Sequence, residues 1–151
     1  MLIRPVTKEE RLQSAQLLTI ESGDLTISAA GDAIHCDYTL QIGAEGTDGP
    51  AISITDCDEG LEAAALHVAS GDIRIRASDD CLNAANSDRS GFDFSMDISG
   101  GTISAYTTDG DGFDSNGSMT ISGGTPPEKP DGGTPPERPD NASEPPEPGN
   151  L

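Results

Sequence analysis

Four acidic residues recur in one local pattern. Gly31-Asp32-Ala33-Ile34-His35, Asp58-Glu59-Gly60-Leu61-Glu62, Asp79-Asp80-Cys81-Leu82-Asn83 and Gly110-Asp111-Gly112-Phe113-Asp114 each read acid, small, apolar, polar. The acids at 32, 59, 80 and 111 are separated by 27, 21 and 31 residues. If each motif marks one coil of a stacked structure, Asp32, Glu59, Asp80 and Asp111 stand in a column at the strand spacing of ~4.8 Å. Two like charges at that distance repel by ~0.9 kcal/mol in bulk water and by more at a protein surface. Asp56, Asp58, Asp79, Asp109 and Asp114 add charge beside the column. A calcium ion takes 6–8 oxygens at ~2.3–2.6 Å, so adjacent carboxylates can bracket one ion and remove the repulsion. The same acids also suit plain turns, because Asp accepts hydrogen bonds from its own turn backbone and Gly follows freely. Asp109-Gly110-Asp111-Gly112 opens like an EF-hand loop, but Phe113 occupies the third ligand position and no Glu closes it.

A second set alternates with apolar residues. Arg74 and Arg76 flank Ile75 on one expected strand and project outward together. Their guanidinium groups suit bidentate recognition of an acidic sugar carboxylate, or simply balance an acidic surface. Tyr106 is the best outward aromatic for stacking on a sugar ring, and Tyr38 a weaker one. His35 shares a column with Glu62, Asn83 and Asp114 and reads as a turn hydrogen-bonder; His67 reads as an exposed strand residue. A zinc site from His35, Cys36 and Cys57 is disfavoured, because the motif positions do not converge. Three cysteines (Cys36, Cys57, Cys81) do not make a disulfide framework.

The elements that must position these residues are short strands. Leu18–Ile20, Leu25–Ile27, Leu40–Ile42, Ile52–Ile54, Leu66–Val68, Ile73–Ile75, Met96–Ile98, Ile103–Ala105 and Met119–Ile121 each alternate apolar, polar, apolar. Tight Ser-Gly turns follow at Ser22-Gly23, Ser70-Gly71, Ser99-Gly100-Gly101 and Ser122-Gly123-Gly124. A strand pair repeated every 21–31 residues predicts a solenoid. The fold expected is all-β, a right-handed parallel β-helix of about four to five coils over residues 17–125. Insertions fall at Gly43–Pro50 and Asn86–Phe92. Ile34, Leu61, Leu82 and Phe113 are expected as one inward apolar column, and Cys36, Ala63, Ala84 and Ser115 as a column of small residues.

The flanks differ. In 1–16, Thr7 and Glu10 form a capping-box pattern, which predicts a short helix capping the solenoid. Nine of eleven prolines follow Thr125, and GGTPPEKPD at 123–131 repeats as GGTPPERPD at 132–140. Such a segment buries too little apolar surface to offset its ordering entropy, so 126–151 is expected to be a disordered tail.

Of 151 residues, 33% are hydrophobic and 3% aromatic, and the net charge is −19. A thin solenoid core plus an unfolded tail accounts for the low apolar content. The charge argues against nucleic-acid binding and equally disfavours an anionic membrane surface. No stretch approaches the ~20 apolar residues of a membrane span. Lys8, Glu9, Glu10 and Arg11 occupy the place of a signal-peptide apolar region, so none is expected in the chain as given.

The runs GDAIHCD, EGLEAA, SDDCLNAA and GDGFDSNGSMTISGGT resemble a bacterial carbohydrate-binding domain family with a polysaccharide-lyase-like, right-handed parallel β-helix. The resemblance spans roughly 17–125. It implies an extracellular or cell-surface module that binds calcium and attaches to plant cell-wall or acidic polysaccharide. Carried over, the implied calcium ligands are Asp79, Asp80 and Asn83, with Asp111 and Asp114 in the last motif and Glu59 and Glu62 in the second. Cys81 and Ala33 depart from the family's glycine, which predicts that the turn there does not need a positive φ. Family members are longer and exported, which implies a chain truncated at its N-terminus.

A polysaccharide lyase on this fold needs a base beside the uronate. The two lysines, Lys8 and Lys129, lie outside the coils, and arginine is handicapped by its pKa above ~12. With the resemblance, the expected function is non-catalytic, calcium-dependent carbohydrate binding. A degenerate lyase and a surface adhesin or spacer without a sugar ligand are the alternatives. A partner or second copy is expected over the open solenoid ends.

Overall fold

The computed structural model describes residues 12–14, 16–86 and 91–125. Strands β1 (Leu12–Ser14), β2 (Leu17–Ile20) and β3 (Asp24–Ser28) open the chain. They are followed by β4 (Ile34–Ile42) and β5 (Ala51–Asp56), then by β6 (Leu61–Val68) and β7 (Asp72–Ala77). The last coils comprise β8 (Leu82–Ala84), β9 (Ser95–Ile98), β10 (Thr102–Thr107), β11 (Phe113–Ser115) and β12 (Ser118–Ile121). Every pairing among the described residues is parallel. One sheet, here called A, holds eight strands and the other, B, holds four in the order β10-β7-β5-β3. Helix is absent among the described residues, so no helix there is long and apolar enough to cross a membrane. This is a parallel β-helix.

All nine expected strands form. The acidic motifs also form strand, where turns were expected: β8 and β11 are the motif triplets Leu82–Ala84 and Phe113–Ser115, and β4 and β6 begin with theirs. The steps Ile34 to Leu61, Leu61 to Leu82 and Leu82 to Phe113 are in register. They close about three complete turns rather than the four to five coils expected. The outer rungs are incomplete, since no sheet B strand among the described residues follows β10. At the other end, Leu12–Ser14 pair with β4 as strand instead of joining the capping helix expected over 1–16. The rest of that helix (1–11 and 15) and the tail at 126–151 lie outside the described residues.

The columns build the core. Ile34, Leu61 and Leu82 are fully buried, and Phe113 packs against them at the open end. Cys36, Ala63 and Ala84 form the small column, in register. Two further columns run through sheet A: Leu40–Leu66–Met96 and Ile42–Val68–Ile98. Ile52–Ile73 and Ile54–Ile75 face them from sheet B. Branched and straight-chain aliphatics stacked at strand spacing fill a narrow interior without aromatics. The Ser-Gly turns stack as well, with Gly23, Gly71, Gly101 and Gly124 all left-handed (φ of 100, 123, 87 and 110°), a conformation a Cβ disfavours.

The final rung has nothing stacked over it. Met119 and Ile121 continue the inward columns after Met96 and Ile98, yet Ile121 is 61% exposed. Amides of β11 and β12 are therefore expected to exchange hydrogen much faster than those of β6 and β7. Uniform protection across all rungs would show that the end is covered.

Candidate functional site

The outward column of sheet A carries the first cluster. His35, Glu62, Asn83 and Asp114 are in register on successive strands, alternating with the inward apolar and small columns. The acidic positions stack one step earlier: the amides of Ala33, Gly60 and Cys81 donate to the carbonyls of Glu59, Asp80 and Asp111. Asp32, Glu59, Asp80 and Asp111 thus follow one line, as the spacing predicted. Ala33 and Cys81 sit there without a positive φ, also as predicted. Asn86, on the chain leading from β8 toward β9, donates to the Asp37 carbonyl at 2.9 Å and ties that segment beside the column.

His35 is the centre of the cluster, not a plain turn hydrogen-bonder. Its Nε2 is 2.9 Å from Asp37 Oδ1, and its Nδ1 is 3.3 Å from Glu62 Oε1 and 3.6 Å from Asp32 Oδ2. Nδ1 is buried, and the geometry of these contacts falls short of a well-directed hydrogen bond. The carboxylates, Asp32 first and then Glu62, outweigh burial and push the His35 pKa up to about 10. The imidazolium is thus a built-in cation at neutral pH.

The neighbouring carboxyl has no such partner. Burial, then the hydrogen bond and charge of Glu62, push Glu59 up to about 8. Asn83 opposes this by donating Nδ2 to Glu59 Oε2 at 3.2 Å. Asn83 itself is only 7% exposed, and its buried Oδ1 has no hydrogen-bond partner. An orphaned acceptor of that kind costs about 1–3 kcal/mol.

The donor sets differ in what they fit. Asp32, His35 and Glu62 bring ligand atoms within 4.8 Å of one another, but one of them is an imidazole that the carboxylates keep protonated. That end is already neutralised and suits calcium poorly. Glu59, Glu62 and Asp114 offer carboxylate oxygens along the same column, and Asn83 Oδ1 is an acceptor without a hydrogen-bond partner. They fit a divalent cation such as calcium.

A second acidic set lines the adjoining turn edge. Asp80 Oδ1 accepts from the Asp111 amide at 2.7 Å, and Asp58 Oδ1 from the Ser78 hydroxyl at 2.8 Å. The charge of Asp80, then loss of water, then Asp58, Asp109 and Asp111 raise the Asp79 pKa. Asp58, Asp80, Asp109 and Asp111 are therefore all within electrostatic reach of Asp79. They do not gather three ligand atoms as tightly as the His35 cluster does.

The outward face of sheet B carries Arg74, Arg76 and Tyr106. Arg76 pairs with Tyr106 across β7 and β10, and its guanidinium carbon lies 4.9 Å from the ring centroid. Tyr106 is 56% exposed. Arg74 donates to Asp72, with Nη2–Oδ2 at 3.1 Å. Beside it a shallow groove of about 270 Å³ runs past Thr26 and Ser53. Tyr38 packs edge-on against Phe92, centroids 4.9 Å apart. The three cysteines are free and buried; burial pushes the Cys57 thiol up to about 12 and raises that of Cys81 as well, so neither of these two is poised as a nucleophile.

Sequence reasoning missed one pair. His67, read as merely exposed, has its Nδ1 3.3 Å from Asp97 Oδ2. The two are in register on β6 and β9. The signal was the shared position within the repeated strand pattern, two residues past Ala65 and Ser95.

The fold and these clusters define a parallel β-solenoid with an acidic turn edge and a separate face bearing paired arginines and an exposed tyrosine. A scan of known protein families, a search of characterised proteins and a search of solved structures each returned no match for this chain.

Proposed function

We propose that this β-helix is a non-catalytic, calcium-dependent carbohydrate-binding module for acidic polysaccharide. The Arg76–Tyr106 pair carries the reading. It presents a guanidinium and an exposed ring in register on a flat parallel sheet. The ring face suits the apolar face of a sugar, and Arg76 supplies guanidinium donors for a uronate carboxylate, with Arg74 beside it held by Asp72. Among the described residues these are the only Lys or Arg side chains, which concentrates positive charge on this face. Calcium at Glu59, Glu62, Asn83 and Asp114 would relieve the buried repulsion and the orphaned Asn83 oxygen, and so stiffen the scaffold. Asp32 and the edge set Asp79, Asp80, Asp109 and Asp111 would supply further cation attraction. Weak sites of this kind fill at the millimolar calcium found outside cells, so the module is expected to act at the cell surface or beyond.

Calorimetric titration with oligogalacturonate in calcium and in EDTA tests this. Binding is expected in calcium, and Tyr106→Ala should weaken it about tenfold, corresponding to ~1–2 kcal/mol for a lost ring contact, with melting unchanged. EDTA should lower the melting temperature. Binding unaffected by the substitution, or a melting temperature indifferent to EDTA, would overturn the respective half of the proposal. Release of unsaturated uronides would establish a lyase instead.

A further inference from the structure

The turn from sheet A to sheet B is three residues in the first coil (21–23), three in the third (69–71) and three in the fourth (99–101), but eight in the second, Gly43–Pro50. In a solenoid, an insertion of this kind projects on one side and commonly marks a binding face. Here the insertion is held in place. The Ala44 amide donates to Ser70 Oγ at 3.1 Å, and Thr47 Oγ1 lies 3.0 Å from the same oxygen. Gly43 approaches Ser70 so closely that a Cβ would lie 2.2 Å from its Oγ. Gln41 Nε2 donates to the Gly43 carbonyl at 3.1 Å. The insertion is thus a fixed wall.

That wall closes one side of a groove of about 420 Å³, within the range of small-molecule sites. Its floor is an outward column in register: Thr19, Gln41, His67 and Asp97 on β2, β4, β6 and β9. Hydroxyl, amide, imidazole and carboxylate follow one another at strand spacing. Asp97 holds His67 through Nδ1 at 3.3 Å, which leaves Nε2 as the ring's other hydrogen-bonding nitrogen. Glu21 and Glu45 stand at the rim, and no Lys or Arg lines the groove.

We propose that this groove is a second saccharide subsite, one that takes a sugar without negative charge. Its side chains offer both donors and acceptors for sugar hydroxyls along one line of the sheet, and a carboxylate accepts well from neighbouring hydroxyls. Glu21, Glu45 and Asp97 repel uronates and phosphates, whereas the face bearing Arg74 and Arg76 attracts them. The two faces therefore select opposite charge classes of glycan on one rigid scaffold. The subsite extends the carbohydrate-binding reading to a different face, and it stands or falls separately from Tyr106.

Amide chemical-shift mapping on the full chain tests it. The probes are cellotriose, xylotriose, mannotriose and the trimer of glucosamine, with trigalacturonate for comparison. A neutral or amino trisaccharide is expected to shift the amides of Gln41, Ala44, His67 and Asp97. His67→Gln and Asp97→Asn, which keep the size of each side chain, should weaken that response at least about fivefold, and Tyr106→Ala should leave it intact. Trigalacturonate should leave these amides unmoved and shift those of β7 and β10. No response at the groove to any of the four non-acidic probes at about 10 mM, a level that detects millimolar dissociation constants, would overturn the subsite. So would a groove response to trigalacturonate. Failure of trigalacturonate at β7 and β10 alone would count against the proposed function and leave the groove standing.

Discussion

Replacing His35 with alanine is expected to lower the stability of the fold by about 2 kcal/mol at pH 6, less than the loss of one partner of a fully buried ion pair because the cluster is partly solvated. The substitution leaves Asp32, Asp37 and Glu62 facing one another without the imidazolium that sits 2.9–3.6 Å from their oxygens. It also changes how stability depends on pH. The His35 pKa is raised from 6.5 to about 10, so the folded state holds a proton that the unfolded chain releases. Stability from this group is therefore complete below pH 6.5 and is lost as pH climbs toward 10. Glu59 is raised from 4.5 to about 8, and it too favours folding when protonated, with its share lost between pH 4.5 and 8. The wild-type chain should thus become less stable in two overlapping steps as pH rises. His35→Ala should remove the upper step and keep the lower one. Because the cluster is partly solvated, the upper step is expected to be nearer ~2 kcal/mol than the full linkage value. Urea unfolding at intervals from pH 5 to pH 10 reads both steps. An unchanged upper slope in the variant would show that His35 is not the titrating group.

Leu66→Ala is expected to cost about 3–5 kcal/mol, the upper part of the range for a buried leucine truncated to alanine. Leu66 is fully buried on the central rung, between Leu40 and Met96 in register. Parallel strands on both sides hold the backbone of that rung, so the neighbours cannot collapse into the space. The loss is large against the ~5–15 kcal/mol stability of ordinary domains. Leu25→Ala provides the comparison. Leu25 is only partly buried, on the outermost strand of sheet B, and the same truncation there should cost markedly less. Chemical denaturation of both variants settles the ranking. Equal losses would mean that the rungs unfold independently and that position in the stack is irrelevant.

Much of this architecture was legible because a solenoid repeats its own solution. Once one motif is aligned on the next, the register follows. Ile34, Leu61, Leu82 and Phe113 share a column, and His35, Glu62, Asn83 and Asp114 must then share the next. Arg74 and Arg76 face outward because Ile73 and Ile75 face inward. The illegible parts are those where the repeat breaks. Leu12–Ser14 alternate too briefly to announce a strand, and the neighbouring capping-box pattern favoured helix; pairing with β4 decides otherwise. The motif triplets read as turns because acid and glycine precede them, yet a three-residue strand suffices when a longer one, such as β6, templates it.

The amino-acid sequence by itself determined the all-β parallel solenoid, its inward columns and the line of acids, because these depend on periodicity alone. The tertiary structure decided what the acids do. Spacing placed Asp32, Glu59 and Glu62 near one another, but only packing put a protonated His35 among some of them and left Asn83 Oδ1 unpartnered beside the rest. Those distinctions turn on side-chain distances of a few tenths of an ångström and on burial. The same holds for the Gly43–Pro50 wall, whose place above His67 and Asp97 is set by one buried hydroxyl, Ser70, twenty residues further along the chain.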